Sequence, residues 1–237
     1  LQAAGAIRVK VWGDYACFTR PEFKVERVSY PVITPSAARG ILEAIFWKPE
    51  IRYEITAIGV LQLGTQMVIL RNEVDRRQAN APFFVEDARQ QRSSLILKDV
   101  AYLILAEMKL RAHATDPIAK YLDQFNRRVE RGQCYHRPYL GTREFAAFFS
   151  GDGGEAPNPL LNLDLGIMLF DIAFVESKER TELEFVRHGP GGARRTRGYA
   201  QALFFRAQLE QGWLRVPPEK YHELYRLEDG PNAQCSS

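Results

Sequence analysis

Three features of this sequence predict an α+β fold. An apolar–polar alternation at Ile7–Trp12 runs, through a loop, into a segment with helical period at 35–46, then into an isoleucine-rich strand at 51–63. The same β-α-β order returns at 99–110, 117–132 and 145–149. A late alternation over 201–216, centred on Gln211-Gly212, reads as a hairpin. Two β-α-β halves make the split arrangement of a ferredoxin-like fold. The expected division is a ferredoxin-like domain at 1–175 and a smaller β-rich, hairpin-containing tail at 176–237.

Each element has a local reason. IRVKVW at 7–12 alternates as a half-buried strand should. Thr34-Pro35-Ser36 gives a helix start, a hydroxyl near the cap and proline in the first turn. Ala38, Ile41, Leu42 and Ile45 then share one face, Arg39 and Glu43 lie opposite, and Lys48-Pro49 stops the helix. Ile51–Leu63 is a strand, Val68–Val74 a second strand expected to pair with it, and Asp75–Pro82 a polar loop. The length of Asp99–Leu110 suits helix or strand, but Val100, Tyr102, Ile104 and the strong helix that follows favour a strand. That helix spans Pro117–Gly132, with Asp116 as cap and Gly132 as stop. Phe145–Phe149 and Leu165–Phe174 complete the pattern on either side of the loop GDGGEAPNP.

Composition narrows the class of protein. The chain has 237 residues, 46% of them hydrophobic, enough for a substantial core. The net charge of +3 is modest, so an anion site has to come from local clustering. One cluster, Arg194, Arg195 and Arg197 in GPGGARRTRG, reads as a surface loop that phosphate could also contact. Three cysteines without CxxC spacing and four scattered histidines indicate neither a disulfide framework nor a metal cofactor. No apolar run approaches a membrane span, which suits a soluble protein in a reducing cytoplasm.

Two regions combine residues suited to a polyanion. Arg20, Lys24 and Arg27 are interleaved with Tyr15, Phe18, Phe23 and Tyr30, which suits single-stranded nucleic acid as well as a solvated loop with buried rings. In the second helix, Ile118, Leu122, Phe125 and Val129 fall within about 40° of one another, while Lys120, Gln124, Arg127 and Arg131 gather opposite. RQQR at 89–92 reads as an RNA contact or as a surface turn beside Glu86 and Asp87. In LGTREF at 140–145, Arg143 and Glu144 read as an internal ion pair fixing a turn.

The runs WGDYACFTRPEFKVERVSY and TPSAARGILEAIFWKP, then RQQR, AKYLDQFNRRVERGQ at 119–133, LGTREF and LDLGIMLFDIAF at 163–174, occur in that order. Together they resemble the type I-C CRISPR-associated protein of family five, subtype d. The resemblance implies an RRM-like domain of the RAMP superfamily that binds CRISPR repeat RNA and cuts precursor RNA without a metal. It also implies retention on the 5′ handle of the mature crRNA, beside the backbone and large subunits of an effector complex. Target DNA is a further expected partner, since phosphate-directed cations accept it too. The candidate RNA contacts read from the residues are Arg20, Lys24, Arg27 and Arg39 near the first helix and Arg127 and Arg131 on the second, and the resemblance strengthens the second group. The family uses a tyrosine at the end of its first helix and a Lys-His pair on its second. Lys120 matches the lysine, but Phe46 and Tyr121 stand where tyrosine and histidine are expected. Trp47 is an alternative match at the first position, and Tyr53 and Tyr121 are substitutes for the missing proton-transfer groups. With those groups replaced, a non-catalytic subunit capping the crRNA 5′ handle is the alternative expectation.

Overall fold

The computed structural model describes residues 5–23, 26–74 and 84–229. β1 (Ala6–Ala16) and β5 (Arg89–Leu110) pair antiparallel, with Ile7, Val9 and Val11 opposite Ala106, Ile104 and Tyr102. All six are buried, so this register aligns two apolar faces over one core. β2 (Arg27–Val28) adds a short parallel pairing to β5. β3 (Ile51–Gln62) pairs with the C-terminal half of β5, and β4 (Thr65–Val74) continues along its N-terminal half.

Two helices cover this part of the sheet. α1 (Pro35–Ile45) starts as its sequence dictates, with Thr34 Oγ1 accepting the Ala37 N–H at 3.2 Å. Such a cap contributes about 1 kcal/mol. The helix ends where Phe46 turns extended, at φ −151° and ψ 122°. No basic residue lies in its last turn, but Arg128 supplies a cation from α2 (Ile118–Glu130), donating to the Ile45 carbonyl at 2.7 Å. α2 buries Tyr121, Phe125 and Val129 against the sheet, with Ile118 and Leu122 half-buried beside them.

β6 (Phe148–Gly151) joins the free edge of β1. The rest of the chain extends the other edge through β7 (Leu163–Glu176), β8 (Leu183–Gly189), β9 (Gly192–Glu210) and β10 (Trp213–Arg215), and α3 (Glu219–Asp229) packs against β7. Among the described residues the sheet has ten strands, in the order β6-β1-β5-β3-β10-β9-β7, with β2 and β4 on β5 and β8 on β9. The β9–β10 turn places Gln211 at φ 51° and Gly212 at φ 79°, the left-handed geometry that the Gln-Gly hairpin signal anticipates. β7 runs across the expected boundary at 175, ending at Glu176, and pairs along its length with β9, so one sheet spans both expected parts.

Some expectations change. Val68–Val74 is a strand but pairs with β5, because that strand is 22 residues long and takes β3 and β4 one after the other. RQQR is the start of β5, paired with β4, and no turn. Asp116 does not cap α2; Pro117 occupies the cap and the Asp116 carboxylate accepts from Lys120 instead. GPGGARRTRG is the β8–β9 hairpin, not a loop, and β8 and α3 go beyond the elements expected from sequence. The expected loop at Asp75–Pro82 and the side chain of Lys24 lie outside the described residues.

Candidate functional site

α2 separates its residues as the helical wheel requires: Phe125 and Val129 face inward, while Lys120, Arg127 and Arg131 are exposed. Lys120 Nζ donates to Asp116 Oδ2 at 2.7 Å, and that bond together with the Asp116 charge raises the lysine pKa. An ion pair this close to solvent contributes little, so Lys120 can exchange the carboxylate for phosphate at small cost. Arg127 and Arg131 have no ion-pair partner among the described residues.

The four catalytic candidates do not form one exposed group. Phe46 is buried beneath the Arg128 guanidinium, 5.2 Å from its ring. Tyr53 is buried too, its hydroxyl donating to the Phe46 carbonyl at 2.6 Å. Burial, then the Glu43 charge, pushes the Tyr53 phenol well above its ordinary pKa. Phe46 and Tyr53 therefore hold the α1–β3 corner together and present no group to a bound strand. Tyr121 packs its ring into the core, yet its phenol shares the field of Lys120. Burial first, then the Glu50 and Asp116 charges, raises its pKa, which keeps it protonated at neutral pH. Lys120, Tyr121, Asp116 and Glu50 thus gather at the start of α2.

The expected RNA contacts divide more sharply. Arg39 donates to both Asp171 carboxylate oxygens, at 2.7 and 2.8 Å, and to Glu43 at 2.7 Å. Burial would lower its pKa, but Asp171 and Glu43 outweigh that and hold it well above the ordinary value. Asp171 is 2% exposed, and removing Arg39 would leave a buried carboxylate unpaired, at a cost of about 3–5 kcal/mol. Arg39 is accordingly a tie between α1 and β7. Arg20 stacks 4.5 Å over the Tyr30 ring and reaches Glu22 at 3.5 Å, keeping part of its guanidinium open. Arg27 lies 4.0 Å from Glu144. Glu144 meets Arg27 and Arg71, not the Arg143 expected beside it. A bond from its own backbone N–H heads the causes that lower its pKa, with Thr142 and the two arginines adding to it. This turn needs Gly141 (φ 87°), where a Cβ would sit 2.0 Å from the Cys17 carbonyl oxygen.

Two clefts flank these residues. One of about 260 Å³ opens at the N-terminus of α1, between Thr19, Thr34, Ser36 and Tyr139. Another of about 240 Å³ lies between Trp47, Arg111, Phe174 and His188. No local pattern announces the second, because its walls lie far apart in the chain. The short alternation Leu183-Glu184-Phe185, which breaks at Val186, is a weak signal in the sequence for β8.

Comparison with known proteins gives a consistent picture. The Cas_Cas5d family, described as CRISPR-associated protein (Cas_Cas5), matches residues 6–217. A CRISPR pre-crRNA endoribonuclease Cas5d of Thermus thermophilus is 67% identical over 224 residues, covering 94% of this chain and 96% of that protein. Its counterpart of the same name from Mannheimia succiniciproducens is 42% identical over 246 residues, covering 94% and 100%. Among solved structures, a CRISPR-associated protein superposes with a TM-score of 0.60 at 22% identity, over 91% of this chain and 93% of that one, a likeness of fold.

Proposed function

The chain belongs to the Cas5d family of CRISPR-associated proteins, and from that premise we propose that it binds CRISPR repeat RNA and cuts precursor crRNA within the repeat. The observation that carries this reading is the 67% identity to a pre-crRNA endoribonuclease across nearly the whole of both chains. The order β6-β1-β5-β3 with α1 and α2 as crossovers supports a ferredoxin-like, RRM-like arrangement of the RAMP type. Residues 1–175 would carry most of the RNA-facing surface, and the tail at 176–237 would complete the sheet. After cleavage the protein would keep the 5′ handle of the guide and meet the backbone and large subunits, with target DNA as a second polyanion.

The chemistry needs few groups. The ribose 2′-oxygen attacks the adjacent phosphorus, the P–O5′ bond breaks, and the products are a 2′,3′-cyclic phosphate and a 5′-hydroxyl. Lys120 stabilises the extra negative charge on phosphorus as the new bond forms. Tyr121, protonated at neutral pH, gives its proton to the departing 5′-oxygen and recovers one from water. Hydroxide takes the 2′-proton, which makes the rate climb with pH; transfer to a phosphate oxygen instead would leave it flat. Arg127 and Arg131 hold flanking phosphates, with Arg20 and Arg27 on the handle.

The test is incubation of purified protein with repeat RNA in EDTA, followed by analysis of the product ends. A discrete cut with a cyclic-phosphate end supports metal-independent cleavage. Tight binding without any cut, with or without divalent ions, would favour a subunit that only caps the handle. The burial of Phe46 and Tyr53 is the observation on that side.

A further inference from the structure

The cleft at the end of α1 has no part in the chemistry above. As the chain leaves α1 it turns Phe46 inward and Trp47 outward, at 1% and 44% exposure. Facing Trp47 is His188 of β8, its ring edge-on to the indole with centroids 5.3 Å apart. Phe174, also partly open, and Arg111, Arg187 and Pro49 complete the walls around about 240 Å³. That is below the roughly 300–1,000 Å³ of sites that enclose drug-sized ligands, which limits it to one base.

Charge and position narrow the occupant. Arg187 is committed to the fold, donating to the Phe174 carbonyl at 2.6 Å and lying 3.6 Å from Asp229 and 3.9 Å from Glu176. Arg111 has no ion-pair partner among the described residues and is the cation left for an incoming anion. Glu228 also lines the cleft, bonded by the Phe174 N–H at 3.3 Å. Burial is the first cause that raises its pKa. The cleft is tied to the start of α2: the Arg111 N–H donates to the Glu50 carbonyl at 2.8 Å, and the Glu50 carboxylate acts on Tyr121 beside Lys120. An open indole, a free guanidinium and a neighbouring site suited to the scissile phosphate match a base and its phosphate.

We propose that this cleft is a single-nucleotide subsite for RNA, with the base stacked on the open side of Trp47 and the phosphate against Arg111. It rests on the proposed function, because the nucleotide it holds is a neighbour of the one cut at Lys120. His188 closes one side of the subsite and limits it to a single base.

The experiment uses repeat RNA made resistant by a 2′-deoxy nucleotide at the cleavage position, where cleavage is found. A single 2-aminopurine is moved along it position by position. One position near the cut should be quenched on binding wild-type protein. Trp47→Ala should remove that quenching and weaken binding roughly 5- to 150-fold, the range for removal of one stacked base. Trp47→Phe should keep both, which separates lost stacking from lost folding. Arg111→Ala should make the log–log salt slope shallower by about 0.7, the release of one phosphate. Wild-type affinity and quenching in Trp47→Ala would overturn the subsite and leave the proposed function standing. No binding of repeat RNA by the wild type would overturn both.

Discussion

α2 and the β8–β9 hairpin look alike in sequence, each a short stretch dense in arginine, yet the structure treats their charges differently. In the hairpin, Arg194 makes two bonds to Glu176, at 3.0 and 2.6 Å. Arg195 and Arg197 reach Glu184 at 3.4 and 3.7 Å, and Arg187 lies near Glu176 and Asp229. The carboxylates come from neighbouring strands and from α3, so a run with no acidic residue of its own acquires them by folding. On α2 the outward Arg127 and Arg131 have no such partner among the described residues, although Asp123 and Glu130 dilute the face. Arg128 turns inward to the Ile45 carbonyl. The same density of arginine therefore leaves different amounts of unpaired charge, depending on whether the fold brings acids across from it.

The largest expected effect is at Lys120, the α2 cation proposed above to act on the chemistry. Lys120→Ala should slow single-turnover cleavage of repeat RNA on the order of 100-fold or more, the usual cost of removing a preorganised charge from a transition state. Its affinity should change little, because Lys120 is one of several exposed cations. A cleavage rate equal to that of the parent would remove Lys120 from the mechanism.

Next in size is a direct contest between the two clusters. Arg127→Ala with Arg131→Ala should weaken repeat-RNA binding about tenfold at low salt and make the log–log salt slope shallower by about 0.7 for each phosphate no longer neutralised. Arg195→Ala with Arg197→Ala, equal in charge removed, should change affinity by no more than about threefold, as both already face Glu184. Titrations at several salt concentrations decide it. A hairpin pair that costs more than the helix pair would break the comparison.

Legibility in the sequence follows the range of the interactions. The α1 cap, the α2 wheel and the strands β1, β3 and β7 depend on neighbours a few residues apart, and each is readable. β8 escapes notice because it is half-buried with no residue in the core, its apolar–polar alternation breaks at Phe185-Val186, and a glycine-rich turn follows it. The partner of β4 is misjudged because only the full length of β5 shows that two strands share it. At the site, Lys120 and Arg127 are legible for the same local reason as α2 itself. The role of Arg39 is not, since Asp171 lies 132 residues away. Trp47 and His188, the walls of the proposed subsite, meet only through the folded sheet.

The smallest effect tests whether pairing is what quiets the hairpin. Glu176→Gln with Glu184→Gln leaves every arginine in place and removes two negative charges, so RNA affinity should rise a few-fold at low salt. The gain should fade as the Debye length shortens, to about 3 Å near 1 M salt. Acid alone will not reproduce it at pH 5, because the Arg194 bond, then a Thr196 bond and the arginine charges, pull the Glu176 pKa from 4.5 down to about 2. A carboxylate whose pKa is depressed in the folded state stabilises the fold above its unfolded pKa and loses that contribution as pH falls through the folded value. The Glu176→Gln variant should therefore melt slightly lower than the parent at pH 7, with the gap narrowing below about pH 4.5 and gone near pH 2. For an exposed pair the contribution is under about 1 kcal/mol, or less than about 4 °C in Tm for a chain of this size. Melting curves across that range, run beside RNA titrations at neutral pH, measure both consequences. An affinity that stays flat when both glutamates are neutralised would mean that the hairpin is silent because of where it points, and not because of its partners.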